Sequence, residues 1–155
     1  MRMPTLKLTS GELTLYLWLK RVTPDSYSGE EWDDSDFRVY RNDELMLNWK
    51  SKWYETDPAG LLNWLDGYFA MAEELKDFSL VDDPAFEFSV DWERAMAILN
   101  LYLTFDSTYP NHYVIYLDDQ KLKNLHCYLR LFTNQLRKDS PEAQALYDQG
   151  IFQED

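Results

Sequence analysis

Residues 13–20, Leu-Thr-Leu-Tyr-Leu-Trp-Leu-Lys, decide the fold class of this chain. Leu13, Leu15, Leu17 and Leu19 alternate with Thr14, Tyr16, Trp18 and Lys20. That period of two fits a pleated strand with one apolar face, and it does not fit a helix. On the C-terminal side, residues 22–36 hold Pro24, Ser26, Ser28, Gly29 and a dense acid cluster, and they read as a loop. Phe37, Val39 and Arg41 begin a second strand, and Asn42-Asp43 is a turn. A third strand then places Leu45, Leu47, Trp49 and Trp53 on one face. On the N-terminal side, Leu6 and Leu8 alternate with polar residues before Ser10-Gly11-Glu12, with none of the long apolar core of a signal peptide.

Thr56-Asp57-Pro58 starts a helix: a polar cap is followed by a proline at the first helical position, where its missing N–H is not needed. Leu61, Leu65, Phe69, Ala72 and Leu75 recur at helical spacing to about Lys76. Residues 78–81 and 85–92 read as strands around an Asp82-Asp83-Pro84 turn. Glu93-Arg94 reads as a hairpin turn into a long strand over 95–105, although Ala and Met leave 91–98 open to helix. Residues 106–111 form a loop and 112–117 another strand. Asp118-Asp119 caps a second helix with a stripe of Leu122, Leu125, Leu129, Phe132 and Leu136, ending near Lys138 with acids first and bases last, as the helix dipole favours. Ser140-Pro141-Glu142 opens a short third helix to about Tyr147, Gly150 stops it, and 151–155 is a frayed tail.

The expected fold is α+β over a single domain, 1–155: a largely antiparallel sheet with two main helices packed on one face and a short C-terminal helix. The opposite sheet face then carries Tyr16, Trp18, Asn48, Lys50, Tyr102 and Tyr116. Such an aromatic-polar surface suits protein contact, unless a helix, a loop or a twin subunit covers it.

Twenty-eight Asp and Glu against fifteen Lys and Arg give the 155 residues a formal charge of −13 at pH 7. With 45% hydrophobic and 16% aromatic residues the chain is too apolar to stay unfolded. Its field repels nucleic acid and anionic membrane and attracts basic partners. No apolar run reaches the length of a membrane span, so the chain reads as cytoplasmic. One cysteine, Cys127, leaves no internal disulfide and no cysteine-rich zinc site.

No phosphate loop, nucleophile elbow or metal signature occurs, and no cofactor is expected. His126 and Cys127 are neighbours on a helix and point about 100 degrees apart, which suits neither chelation nor a nucleophile–base pair. The acids of the 22–36 segment lack the spacing and glycine of a calcium loop. Trp32 with Asp33, Asp34 and Asp36 instead offers an aromatic anchor in an acidic rim, suited to the basic active site of a nuclease. The other possibility is that Trp32 tucks into the core.

Segment order adds a resemblance. Leu13-Thr14-Leu15-Tyr16-Leu17 leads to Glu31-Trp32-Asp33, then comes the helix with Leu61 to Leu75. Phe86-Glu87-Phe88 follows, then the strand from Ile98, and finally Tyr116-Leu117-Asp118-Asp119-Gln120 entering a helix with Leu122, Leu125 and Leu129. In this order the chain resembles the WapI-type immunity proteins, small bacterial proteins that neutralise a contact-delivered toxin domain. The resemblance implies a non-enzymatic, toxin-binding role, and it carries over no residue-level site; the chain itself is expected to be a monomer or homodimer. The alternatives are an enzyme using carboxylates on a sugar or cationic small molecule, and an acidic adaptor or DNA mimic with its charges spread along a face.

Overall fold

The structure, a computed structural model, describes residues 2–21, 32–81, 86–102 and 112–154. The described elements are β1 (Thr5–Ser10), β2 (Leu13–Arg21), β3 (Trp32–Arg41), β4 (Glu44–Tyr54), α1 (Asp57–Phe69), β5 (Phe78–Ser79), β6 (Phe86–Asp91), β7 (Met96–Tyr102), β8 (His112–Leu117), α2 (Asp119–Phe132), α3 (Pro141–Asp148) and β9 (Phe152–Gln153). The class is α+β and the pairing is antiparallel throughout, as the alternation of the strands led us to expect.

The strands divide into two sheets, not one: β4-β3-β2-β1-β9 and β5-β6-β7-β8. Strands consecutive in sequence pair within each sheet, except that β9 joins β1 from the far end of the chain, and α1 interrupts the run between β4 and β5. The first sheet begins with β1, whose Leu6 and Leu8 pair with Leu17 and Leu15 of β2. Gly11, at φ 58°, takes the left-handed position in the tight turn between them, where a Cβ would cost energy.

Several expectations are corrected. Residues 32–36 belong to β3, not to a loop; the part of that expected loop at 22–31 lies outside the described residues. The strand was hidden because its inward positions begin with Asp33 and Ser35 before reaching Phe37 and Val39, so no apolar period marks its start. Leu45 does not share the inward face of Trp49. A bulge pairs Val39 with Leu47 and Tyr40 with Leu45, which sends Leu45 to the outer face, 48% exposed.

Helix α1 stops at Phe69, with Met71 in the left-handed region at φ 55°. Leu75 still packs, but from the following loop against Gly67. Helix α2 likewise ends at Phe132, and Leu136 joins the core edge from beyond it. The tail is not frayed: Phe152 is buried and pairs with Leu6 as part of β9. The expected Asp82-Asp83-Pro84 turn and the 106–111 loop lie outside the described residues.

One core joins both sheets and the helices. Phe37 and Trp53 of the first sheet meet Phe86 of the second at 5.1 and 5.5 Å between ring centroids. Helix α1 lays Trp64 against Phe88 at 5.5 Å. Helix α2 sends Tyr128 to the first sheet, where its hydroxyl donates to Pro4 O and accepts from Leu19 N. Each main helix thus touches both sheets, α1 at β4 and β5 and α2 at β1 and β8. Thr56, at the N-cap of α1, makes no side-chain cap bond; the Asp57 carboxylate accepts from Tyr54 N at 2.7 Å and Val81 N at 3.2 Å, tying the end of β4 to residue 81.

Candidate binding face

Alternation decides what the first sheet shows to its outer side. Inward go Leu15, Leu17 and Leu19 of β2, Phe37 and Val39 of β3, and Trp53 of β4. The register then sets the outward residues in rows across three strands: Trp18, Asp36 and Lys50 in one, Lys20, Asp34 and Lys52 in the next. Tyr16 and Tyr40 lie further along the same face, and Trp32 sits beside Tyr54 at its far end.

These rows enclose a concavity of about 820 Å³, walled by Trp18 and Trp32 and floored by Asp34 and Asp36 between lysines. Trp18 is held in place because its indole Nε1 donates to Met3 O at 3.1 Å, and the Arg2 guanidinium lies 5.6 Å from its ring centre. Trp32 leans on Tyr54 at 5.0 Å. Asp34 forms an ion pair with Lys52. Asp36 differs: its Oδ1 is shielded from solvent and has no hydrogen-bond partner. A smaller hollow of about 440 Å³ adjoins, where Arg38 lies 5.5 Å over Tyr16 and Tyr40 meets Tyr16 edge-on.

Of the residues singled out from sequence, the structure brings Tyr16, Trp18, Trp32, Asp34 and Asp36 onto this one face. Asp33 does not belong there. It is buried, 5% exposed, at the inward register position between Arg21 and Trp53, because neighbours in a strand face opposite ways. Tyr102 and Tyr116 lie in the second sheet, on β7 and β8, so the expected single aromatic face is in fact two. Tyr116 is half-exposed beneath the Arg94 guanidinium, 5.3 Å from its ring centre. Sequence reasoning missed Lys52, Tyr54, Arg38 and Tyr40, although the period of two, continued from Lys50 on one strand and counted against Phe37 and Val39 on the other, would have found them.

The face is of mixed charge, with Lys20, Lys50 and Lys52 against Asp34 and Asp36 in the larger concavity. Most of the chain's acidity lies elsewhere, for example in the Glu73-Glu74 loop and along α3. Among the described residues no group of three or more His, Cys, Asp and Glu is placed to hold a metal ion. Burial pushes the Cys127 thiol up to about 11, which keeps it protonated and unreactive. His126 points away from it and meets Asp66 of α1 at 2.8 Å. Tyr68 lies flat on Trp92, 5.5 Å away with 9° between the planes, and donates to Asp119 at 2.8 Å; burial, then that carboxylate, raise its phenol well above the usual range. Among the described residues no helix is long and apolar enough to cross a membrane.

No family model matches the chain, and no curated protein matches it in sequence. Among solved structures, that of the plant transcriptional regulator PBF-2 aligns with a TM-score of 0.48 at 9% sequence identity, over 97% of this chain and 95% of that one. A likeness so loose carries no argument about function.

Proposed function

We propose that this chain is a non-enzymatic cytoplasmic binding protein, an immunity protein of the WapI type that neutralises a basic toxin domain such as a nuclease, and that it grips its partner with the open face of the five-stranded sheet. The observation that carries the reading is the pair of tryptophans, Trp18 and Trp32, mounted on rigid strands at the walls of an open concavity. Large rings fixed by the scaffold bury much area on contact at little cost in side-chain entropy. The charge of −13 steers a basic protein toward the surface at long range, while the rows of Lys and Asp fix its register once it arrives.

An adaptor that mimics DNA would spread like charges along one face, whereas here lysines interleave with aspartates. A carboxylate enzyme would use Asp34 and Asp36, but Asp34 is already engaged by Lys52.

The test is neutralisation. Basic proteins captured from the source organism at low salt are identified and expressed in a host with and without this chain. Rescue of growth by the chain, lost when Trp18 and Trp32 are both changed to Ala, supports the reading. Capture of no basic protein, or capture of one whose toxicity the chain leaves intact, refutes it.

A further inference from the structure

We propose that the concavity between Trp18 and Trp32 is a socket for a single arginine side chain of the partner, whose guanidinium stacks on an indole and donates to the Asp36 carboxylate. The inference rests on the protein-binding reading above and names what the partner must present. It begins from Asp36. A carboxylate oxygen cut off from water without a donor is an uncompensated acceptor, and native proteins leave few of these unexplained. Its cross-strand neighbours are Trp18 on one side and Lys50 on the other, yet no ion pair joins it to Lys50. Asp34, two residues away on the same face, has Lys52. Within this concavity Asp36 is therefore the carboxylate with no cation of its own, and a donor that reaches Oδ1 must displace the side chains that now shield it.

Arginine fits that donor better than lysine. Its planar guanidinium stacks on an aromatic face while donating in the plane to a carboxylate, and it is less strongly hydrated than an ammonium. The face already holds guanidinium groups over its rings: Arg2 lies over Trp18 and Arg38 over Tyr16, at 5.6 and 5.5 Å from the ring centres. Lys20 and Lys50 are exposed on long stems and can turn to solvent as the cation enters. The net charge of the whole molecule favours a cationic visitor.

The experiment titrates ¹⁵N-labelled protein with N-acetyl-arginine methylamide and, separately, with the lysine analogue, sodium sulfate and methyl glucoside, reading the indole N–H resonances of Trp18 and Trp32. The arginine probe is expected to shift both and to saturate in the millimolar range that a fragment of this size reaches, with the lysine probe several-fold weaker. Asp36→Asn, which preserves shape, should weaken it by about tenfold with the rest of the spectrum in place. Trp32→Leu, which leaves Asp36 untouched, should weaken it several-fold and serves if the first variant does not fold.

Shifts with sulfate or methyl glucoside but not arginine would overturn the proposal in favour of an anion or sugar site, and so would wild-type affinity in both variants. The two readings fail separately. If Asp36→Asn still neutralises a basic toxin at full strength, the socket falls and the interface stands. If the arginine probe binds as described but no toxin is neutralised, the socket stands and the immunity reading falls.

Discussion

Changing Tyr128 to Phe removes one oxygen atom and should cost this protein a large share of its stability. Tyr128 is fully buried on α2. Its hydroxyl donates to Pro4 O at 2.8 Å and accepts from Leu19 N at 3.0 Å, so one atom serves two backbone groups far away in sequence, one just before β1 and one in β2. Phenylalanine keeps the ring and its edge contact with Phe152, at 5.7 Å. What it leaves behind is an N–H and a C=O in a place water cannot reach. Each orphaned group costs about 1–3 kcal/mol, offset in part because the hydroxyl no longer has to be desolvated. A net loss of about 2–4 kcal/mol follows, against a total of roughly 5–15 for a domain of ordinary stability. Urea denaturation reads it as a lower midpoint at unchanged slope, since the surface exposed on unfolding is the same. The amides of Leu19 and Lys20 should also exchange faster, because the end of β2 beside the concavity loses its anchor to α2. A loss below about 0.5 kcal/mol would refute the reasoning, for it would mean that the freed groups find other partners.

The same side chain predicts a pH dependence. Burial raises the Tyr128 phenol above its ordinary value, so the folded state holds the proton that the unfolded state releases near pH 10. The stability this contributes is complete below about pH 10 and is lost as pH rises above it; Tyr128→Phe should flatten that alkaline decline, as followed by denaturation midpoints between neutrality and pH 11. Ala95 sits at φ 52° in the turn between β6 and β7, where Arg94 N also bonds to Asp91. Glycine there should raise stability by about 0.5 kcal/mol, relief of the left-handed strain exceeding the entropy added to the unfolded chain, and a lowered midpoint would contradict it. Reversing both Asp34 and Asp36 to Lys moves the formal charge from −13 to −9. Association with a basic partner at low salt should slow by roughly tenfold and lose part of its salt dependence, and an unchanged rate in stopped flow would remove this face from the interface.

How much of this was legible in the sequence depends on whether the deciding interaction was local. Strand β2 was plain because its four leucines all face one core, and α2 could be started correctly because Asp118 caps it through its own neighbour, accepting from Lys121 N at 3.1 Å. Strand β8 matched its expected span of 112–117. Helix ends were misplaced where favourable propensity over 70–76 gave way to the turn at Met71, with Leu75 folding back on Gly67. Strand β9 is two residues long and exists only because Phe152 fills a place beside Leu6, a pairing across nearly the whole chain. No local pattern encodes such a contact.

The binding face makes the same point more sharply. Composition singled out Trp32, Asp33, Asp34 and Asp36 as a group, and alternation singled out Tyr16 and Trp18. Only the register Leu17 to Phe37 joins the two sets, and it divides the acids as it does so, turning Asp33 inward and Asp34 and Asp36 outward. A slip of one residue would reverse that division and send Phe37 and Val39 out of the core. The buried Phe37, packed against both Trp53 and Phe86, therefore fixes which carboxylates the protein can offer to a partner.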